Sequence, residues 1–108
     1  MTRLEYFLGI HVMRVLVRFF TSLREMTGKR EETLEFSSSE RVTVNVVLRR
    51  LAELYGKGFV GYVYNDNGEV KGFLQFLING RSASTLNSLE TELSDGDVLA
   101  IIPPVGGG

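Results

Sequence analysis

Only one stretch of this chain repeats its apolar residues at helical spacing. Val44, Val47, Leu48, Leu51, Leu54 and Tyr55 recur three and four residues apart, while Arg49, Arg50 and Glu53 fall on the opposite face. This predicts an amphipathic helix of about three turns, with its apolar stripe in the core. Thr43 is placed to cap its first turn. Gly56 suits the left-handed position that ends a helix.

The other strong patterns are strand-like. From Met13 to Phe20 the chain is rich in β-branched and aromatic residues. Val15, Val17 and Phe19 would point one way, and Arg14, Leu16, Arg18 and Phe20 the other. Ser22 to Gly28 reads as a turn or loop. Thr33 to Phe36 reads as a second strand, hairpin-paired to the first and broken by Ser37-Ser38-Ser39. Tyr62-Val63-Tyr64 reads as a short strand, and Asn65-Asp66-Asn67-Gly68 as a turn. Phe73 to Ile78 is a nearly continuous apolar strand that turns at Asn79-Gly80. Asp95-Gly96-Asp97 is another turn before a last strand, Val98 to Ile102, which Pro103-Pro104 stop. One helix cannot cover both faces of a sheet of about four to five strands. The fold class is therefore α+β: a mixed sheet curled over one main helix, with one face left to solvent or a partner.

Composition narrows the chemistry. The 108 residues suit one small domain, and 44% hydrophobic residues suffice for a modest core. Twelve Lys+Arg against thirteen Asp+Glu give a net charge of −1, which argues against nucleic acid as a ligand. No apolar run is long enough to span a bilayer. The first residues lack the basic and apolar regions of a signal peptide, so no membrane association and a cytoplasmic location are expected. There are no cysteines, which removes disulfides, thiolate metal sites and cysteine nucleophiles. His11, the only histidine, reads as a surface residue near a chain end, so no catalytic triad or zinc site is expected. Asn65 to Gly68 lacks the alternating acidic ligands and closing glutamate of a calcium loop, so no metal is expected there either. Residues 1–12 have no clean period. They read as an N-terminal extension that is disordered, or else as an amphipathic segment that binds a partner.

The sequence then closes on Pro103-Pro104-Val105-Gly106-Gly107-Gly108. Gly108 carries the α-carboxylate on an arm without side chains. Glycine lets backbone approach closely and bend freely. Two prolines favour an extended exit, so the arm begins in a defined direction. With no thiol in the chain, this carboxylate is the most conspicuous reactive group.

Three segments resemble the MoaD/ThiS family of ubiquitin-like sulfur carriers. One is Val15-Leu16-Val17-Arg18-Phe19-Phe20 running into Leu23-Arg24-Glu25-Met26-Thr27-Gly28. Another is the helix start at Thr43-Val44. The most specific runs from Thr91-Glu92-Leu93-Ser94-Asp95-Gly96-Asp97-Val98 through Ile101-Ile102-Pro103-Pro104-Val105 to Gly107-Gly108. The likeness covers about Met13 to Gly108 and is nearest to the molybdopterin synthase small subunit and its archaeal MoaD-like relatives. Residues 1–12 and the additional Gly106 depart from the family pattern.

The resemblance implies a β-grasp domain over residues 13–104 and a flexible glycine tail over 105–108. It implies that an E1-like, MoeB-like enzyme uses ATP to adenylate Gly108, and that a sulfur donor converts the adenylate to a thiocarboxylate. Gly106 and Gly107 would thread into the partner's active site, and positions matching Phe20, Arg24 and Ile102 would meet the partner. The acceptor would be a pterin precursor held by a MoaE-like large subunit. The chain itself would bind no cofactor and act as a non-catalytic carrier. Other readings are a ubiquitin-like modifier joined through Gly108 to lysines, a sulfur donor for tRNA or thiamine, and a plain interaction domain whose tail is incidental.

Overall fold

A computed structural model of the chain describes Arg3 and residues 11–104. In chain order the elements are β1 (Val12–Phe19), α1 (Ser22–Thr27), β2 (Glu31–Ser37), α2 (Val44–Tyr55), α3 (Lys57–Val63), β3 (Gln75–Ile78), β4 (Arg81–Ser82) and β5 (Val98–Ile102). Short 3-10 turns lie between β4 and β5. The five strands form one sheet in the order β2-β1-β5-β3-β4. The β1–β5 pair is parallel and the other neighbours are antiparallel, so the sheet is mixed as expected.

Strand alternation is realised as the sequence predicts. Val15, Val17 and Phe19 of β1, with Leu99 and Ile101 of β5, are fully buried. Across the sheet they meet Val44, Val47, Leu48 and Leu51 of α2, also fully buried. The Thr43 side chain accepts a hydrogen bond from the Val46 amide at 3.2 Å, which satisfies one of the unpaired donors of the first helical turn. Leu54 differs from expectation: it is 54% exposed, because it sits at the rim of the apolar stripe rather than near its centre.

Three other local expectations are corrected. Ser22 to Thr27 is a short helix rather than a loop, with Leu23 buried beneath it and Gly28 in the left-handed region at φ 73°. Six residues are too few to display a helical period. Tyr62 and Val63 belong to α3 rather than to a strand. Gly58 and Gly61 weaken the helix propensity of α3, so burial of Phe59 and Val63, four residues apart on one face, supports it instead. The strand signal there survives only as a single bridge between Tyr64 and Val70. Finally, β3 begins at Gln75, with Phe73 in the turn before it.

Gly56 ends α2, as expected, its amide donating to the Ala52 carbonyl at 2.9 Å, and it is also the joint to the next helix. At φ 74° and ψ −150° it occupies a region that is essentially open to glycine alone, and α3 starts at the next residue.

The end of α2 is tied to β2 through Tyr55, whose hydroxyl donates to Glu32 Oε1 at 2.8 Å. Burial, then the bond to Glu32, pushes the Tyr55 phenol from near 10 up to about 12. A raised folded-state value means that this stabilisation is complete below the unfolded value and is lost as pH rises through the folded one. Folding stability is therefore expected to fall between pH 10 and about 12 with a Tyr55 contribution. Tyr55→Phe should flatten that part of the profile in urea titrations at successive pH values. An unchanged slope would contradict the assignment.

Candidate partner-docking face and tail exit

The helices all cover one side of the sheet, so the opposite side is open. Register defines what it carries. Leu16 lies beside Val98, and Arg18 beside Ala100. Ala100 lies beside Leu77, and Ile102 beside Gln75. Leu16, Leu77, Val98, Ala100 and Ile102 are half-buried and form an apolar strip across three central strands. Arg14 borders the strip and is held by Glu35 of β2 at 2.8 Å.

Phe20 follows the last residue of β1. Because Phe19 pairs with Ile101, the register carries Phe20 and Ile102 to the same end of the open face. Phe20 is half-buried, and the Arg18 guanidinium lies 5.7 Å from its ring centre. Thr21 then turns the chain into α1 at φ 48°, an uncommon conformation for a β-branched residue. One turn later Arg24 is half-buried, and its Nε is buried without a hydrogen-bond partner among the described residues. Phe20 and Ile102 thus share one end of the open face, and Arg24 lies in α1, one helical turn beyond Thr21. Gly106, Gly107 and Gly108 lie outside the described residues, as does most of the expected 1–12 extension.

The strand that leads to the tail is firmly seated at its other end. The Ser94–Asp97 turn closes with an amide-to-carbonyl bond of 3.0 Å, and Gly96 takes φ 86°. The Arg14 amide donates to Asp95 Oδ1 at 2.8 Å. Asn79 donates through Nδ2 to Asp97 Oδ1 and accepts the Val98 amide, each at 2.9 Å. From there β5 runs between β1 and β3, with ladders on both sides. Pro103 is buried and Pro104 half-buried, so direction is kept for two residues past the strand. This arrangement holds Pro103 and Pro104 at a fixed place beside an open apolar surface.

Leu77 and Val98 were not singled out from the sequence as parts of the open face. The unbroken apolar run of β3 conceals which residues face inward, and only pairing with β5 settles it. Among the described residues no helix is long and apolar enough to cross a membrane.

Residues 17–108 match the model of the ThiS family. Small archaeal modifier protein 3 of Haloferax volcanii is 38% identical over 96 residues, spanning 89% of this chain and 100% of that protein. The crystal structure of SAMP1 from Haloferax volcanii superposes with a TM-score of 0.72 at 29% identity, over 88% of this chain and 99% of that one. A Pyrococcus furiosus protein assigned as molybdopterin converting factor subunit 1 superposes at 0.62 with 27% identity, over 86% and 99% of the two chains. The fold is the ubiquitin-like β-grasp expected from the sequence, with α1 and α3 in addition to the main helix.

Proposed function

The chain belongs to the ThiS family of ubiquitin-like sulfur carriers, and from that membership we propose that it carries sulfur on the Gly108 carboxylate for molybdopterin or tungstopterin synthesis, as the small subunit of a molybdopterin synthase. An E1-like, MoeB-like enzyme activates the tail. A carboxylate oxygen attacks the α-phosphorus of ATP, pyrophosphate leaves, and an acyl-adenylate forms. Hydrosulfide released by a donor then attacks the acyl carbon, AMP leaves, a proton is lost to solvent, and the tail ends in a thiocarboxylate. A MoaE-like large subunit positions the acceptor pterin. The observation that carries this reading is the seating of β5: a central strand, braced on both sides, runs out through Pro103-Pro104 toward the glycines beside an open apolar face. The absence of cysteine leaves no thiol on which this chain could hold sulfur instead. Likeness to the Pyrococcus furiosus protein supports the pterin branch.

A second reading shares the activation step. The acyl-adenylate passes to a lysine amine and forms an isopeptide bond. The 38% identity along the whole length of a small archaeal modifier protein favours it.

Intact-mass analysis tests both. After incubation with ATP, the activating enzyme and a sulfur donor, exchange of one oxygen for sulfur at Gly108 is expected, and an unchanged mass overturns sulfur carriage. Conjugation would appear in tryptic digests as the remnant Ser82–Gly108 on a lysine, because no Lys or Arg follows Arg81.

A further inference from the structure

The two outer strands of the sheet differ. β4 is two residues long, whereas β2 presents seven, Glu31–Ser37. A strand at a sheet edge carries amides and carbonyls that can template a further strand. Which groups these are follows from the β1 ladder. The Phe19 amide donates to the Arg30 carbonyl, and the Ser38 amide to the His11 carbonyl. Even-numbered residues of β2 therefore bond to β1, and Glu31, Thr33, Glu35 and Ser37 turn their backbone groups outward. Two of the outward carbonyls are occupied. Ser37 accepts the Glu40 amide at 3.0 Å. Glu35 accepts Arg50 Nη1, reaching over from α2, at 2.9 Å. The same guanidinium lies 4.4 Å from the Phe36 ring centre, so two contacts hold it at the edge.

This edge is selective toward its own copy. Two chains related by a two-fold axis pair their β2 strands antiparallel, so the residue on the axis meets itself and its neighbours meet in reverse order. An axis at Glu31, Glu32 or Glu35 sets that glutamate against its own copy. An axis at Thr33 sets Glu31 against Glu35. Like charges directly opposite are destabilising. An axis at Phe36 leaves only residues 35–37 to pair, and the Ser37 carbonyl is already taken. An axis at Leu34 alone pairs the whole strand without like charges: Thr33 meets Glu35, Glu32 meets Phe36, and Glu31 meets Ser37. In that register each Glu35 carbonyl must accept the Thr33 amide of the other copy, and this is the carbonyl that Arg50 holds.

We propose that the outer edge of β2 is a seam for a second copy of this chain, open in that one register and shut in the monomer by Arg50. Charge closes the other registers, and Arg50 closes this one. The match between the guarded carbonyl and the single charge-compatible register is what points to a second copy as the occupant. The seam offers few hydrogen bonds and little apolar area, so association is weak and driven by concentration.

Sedimentation equilibrium of the full chain over a concentration series is the test. Wild type is expected to stay a monomer. Arg50→Ala should form dimers, with a dissociation constant lower by about tenfold or more for the two carbonyls freed. Arg50→Met, which keeps a stem over Phe36 but has no donor, should behave alike with less disturbance of the fold. Thr33, whose side chain is exposed, reads the register. In the Arg50→Ala background, Thr33→Glu should restore the monomer by facing Glu35. Thr33→Lys should tighten the dimer, an effect that salt weakens. Arg49→Ala, one residue away on α2, should stay a monomer. Arg50 variants that melt as folded domains yet remain monomers overturn the proposal, as does a wild type that associates as readily as Arg50→Ala. Dimers that Thr33→Glu leaves intact, or that Thr33→Lys disrupts, also overturn it, because the contact then lies elsewhere or in another register.

Discussion

Phe19→Ala is expected to cost about 3–5 kcal/mol of folding stability, the range for truncating a fully buried aromatic. Phe19 is fully buried, in β1, opposite Ile101 of the parallel partner β5. Its ring meets Tyr55 edge-to-face with centres 5.9 Å apart, and Tyr55 in turn packs against Phe59 at 6.2 Å. Alanine would open a void where the sheet, the end of α2 and the start of α3 converge. A domain of this size has about 5–15 kcal/mol in total, so much of that reserve would be lost. The urea midpoint should fall sharply with little change in m, because the surface exposed on unfolding is nearly unchanged. A loss below about 1 kcal/mol would contradict the packing described for this junction.

Removal of Gly107-Gly108 is expected to abolish adenylate formation while leaving the fold untouched. The truncated chain would end at Gly106, two residues short of the activated carbon, a deficit of about 7 Å in an extended arm. Chemistry at a partner's catalytic groups tolerates misplacement of only about 1 Å before rates fall by orders of magnitude. Among the described residues the hydrophobic core runs from Met13 to Ile101, and β5 ends at Ile102. The melting temperature and amide spectrum of the domain should therefore be unchanged, while ATP–pyrophosphate exchange by the activating enzyme drops to background. Retained function in the truncated chain would favour an interaction domain with an incidental tail. Unfolding would show that the glycines contribute to the core.

The central strands and the main helix were legible because local pattern and burial agree there. Alternation along Val15, Val17 and Phe19 needs only that one sheet face be covered, and the stripe of α2 needs only one sheet to cover it. α3 was not legible because its residues argue against it. Two glycines weaken the helix, aromatic and β-branched residues favour a strand, and only burial of Phe59 and Val63 decides the outcome. α1 is too short to show a period, and β4 is two residues long. At the candidate site, Phe20, Arg24 and Ile102 were named from resemblance; register places Phe20 and Ile102 at one end of the open face, while Arg24 lies in the short helix α1 that follows Phe20 in the chain. Leu77 and Val98 were missed. Their roles depend on which strand lies beside which, and pairing between distant segments leaves no local mark.

The place of β5 also orders events during synthesis. It is the last strand made, yet it fills the middle of the sheet. Until Val98–Ile102 leaves the ribosome, β1 has no partner on its inner edge, β3 has none beyond a two-residue hairpin strand, and the face of α2 awaits Leu99 and Ile101. Pairing of β1 with β5 must therefore wait until Val98–Ile102 has been made, and a chain stalled before that exposes unpaired edges that invite aggregation. The seat of Pro103 and Pro104 beyond β5 thus exists only in a completed fold.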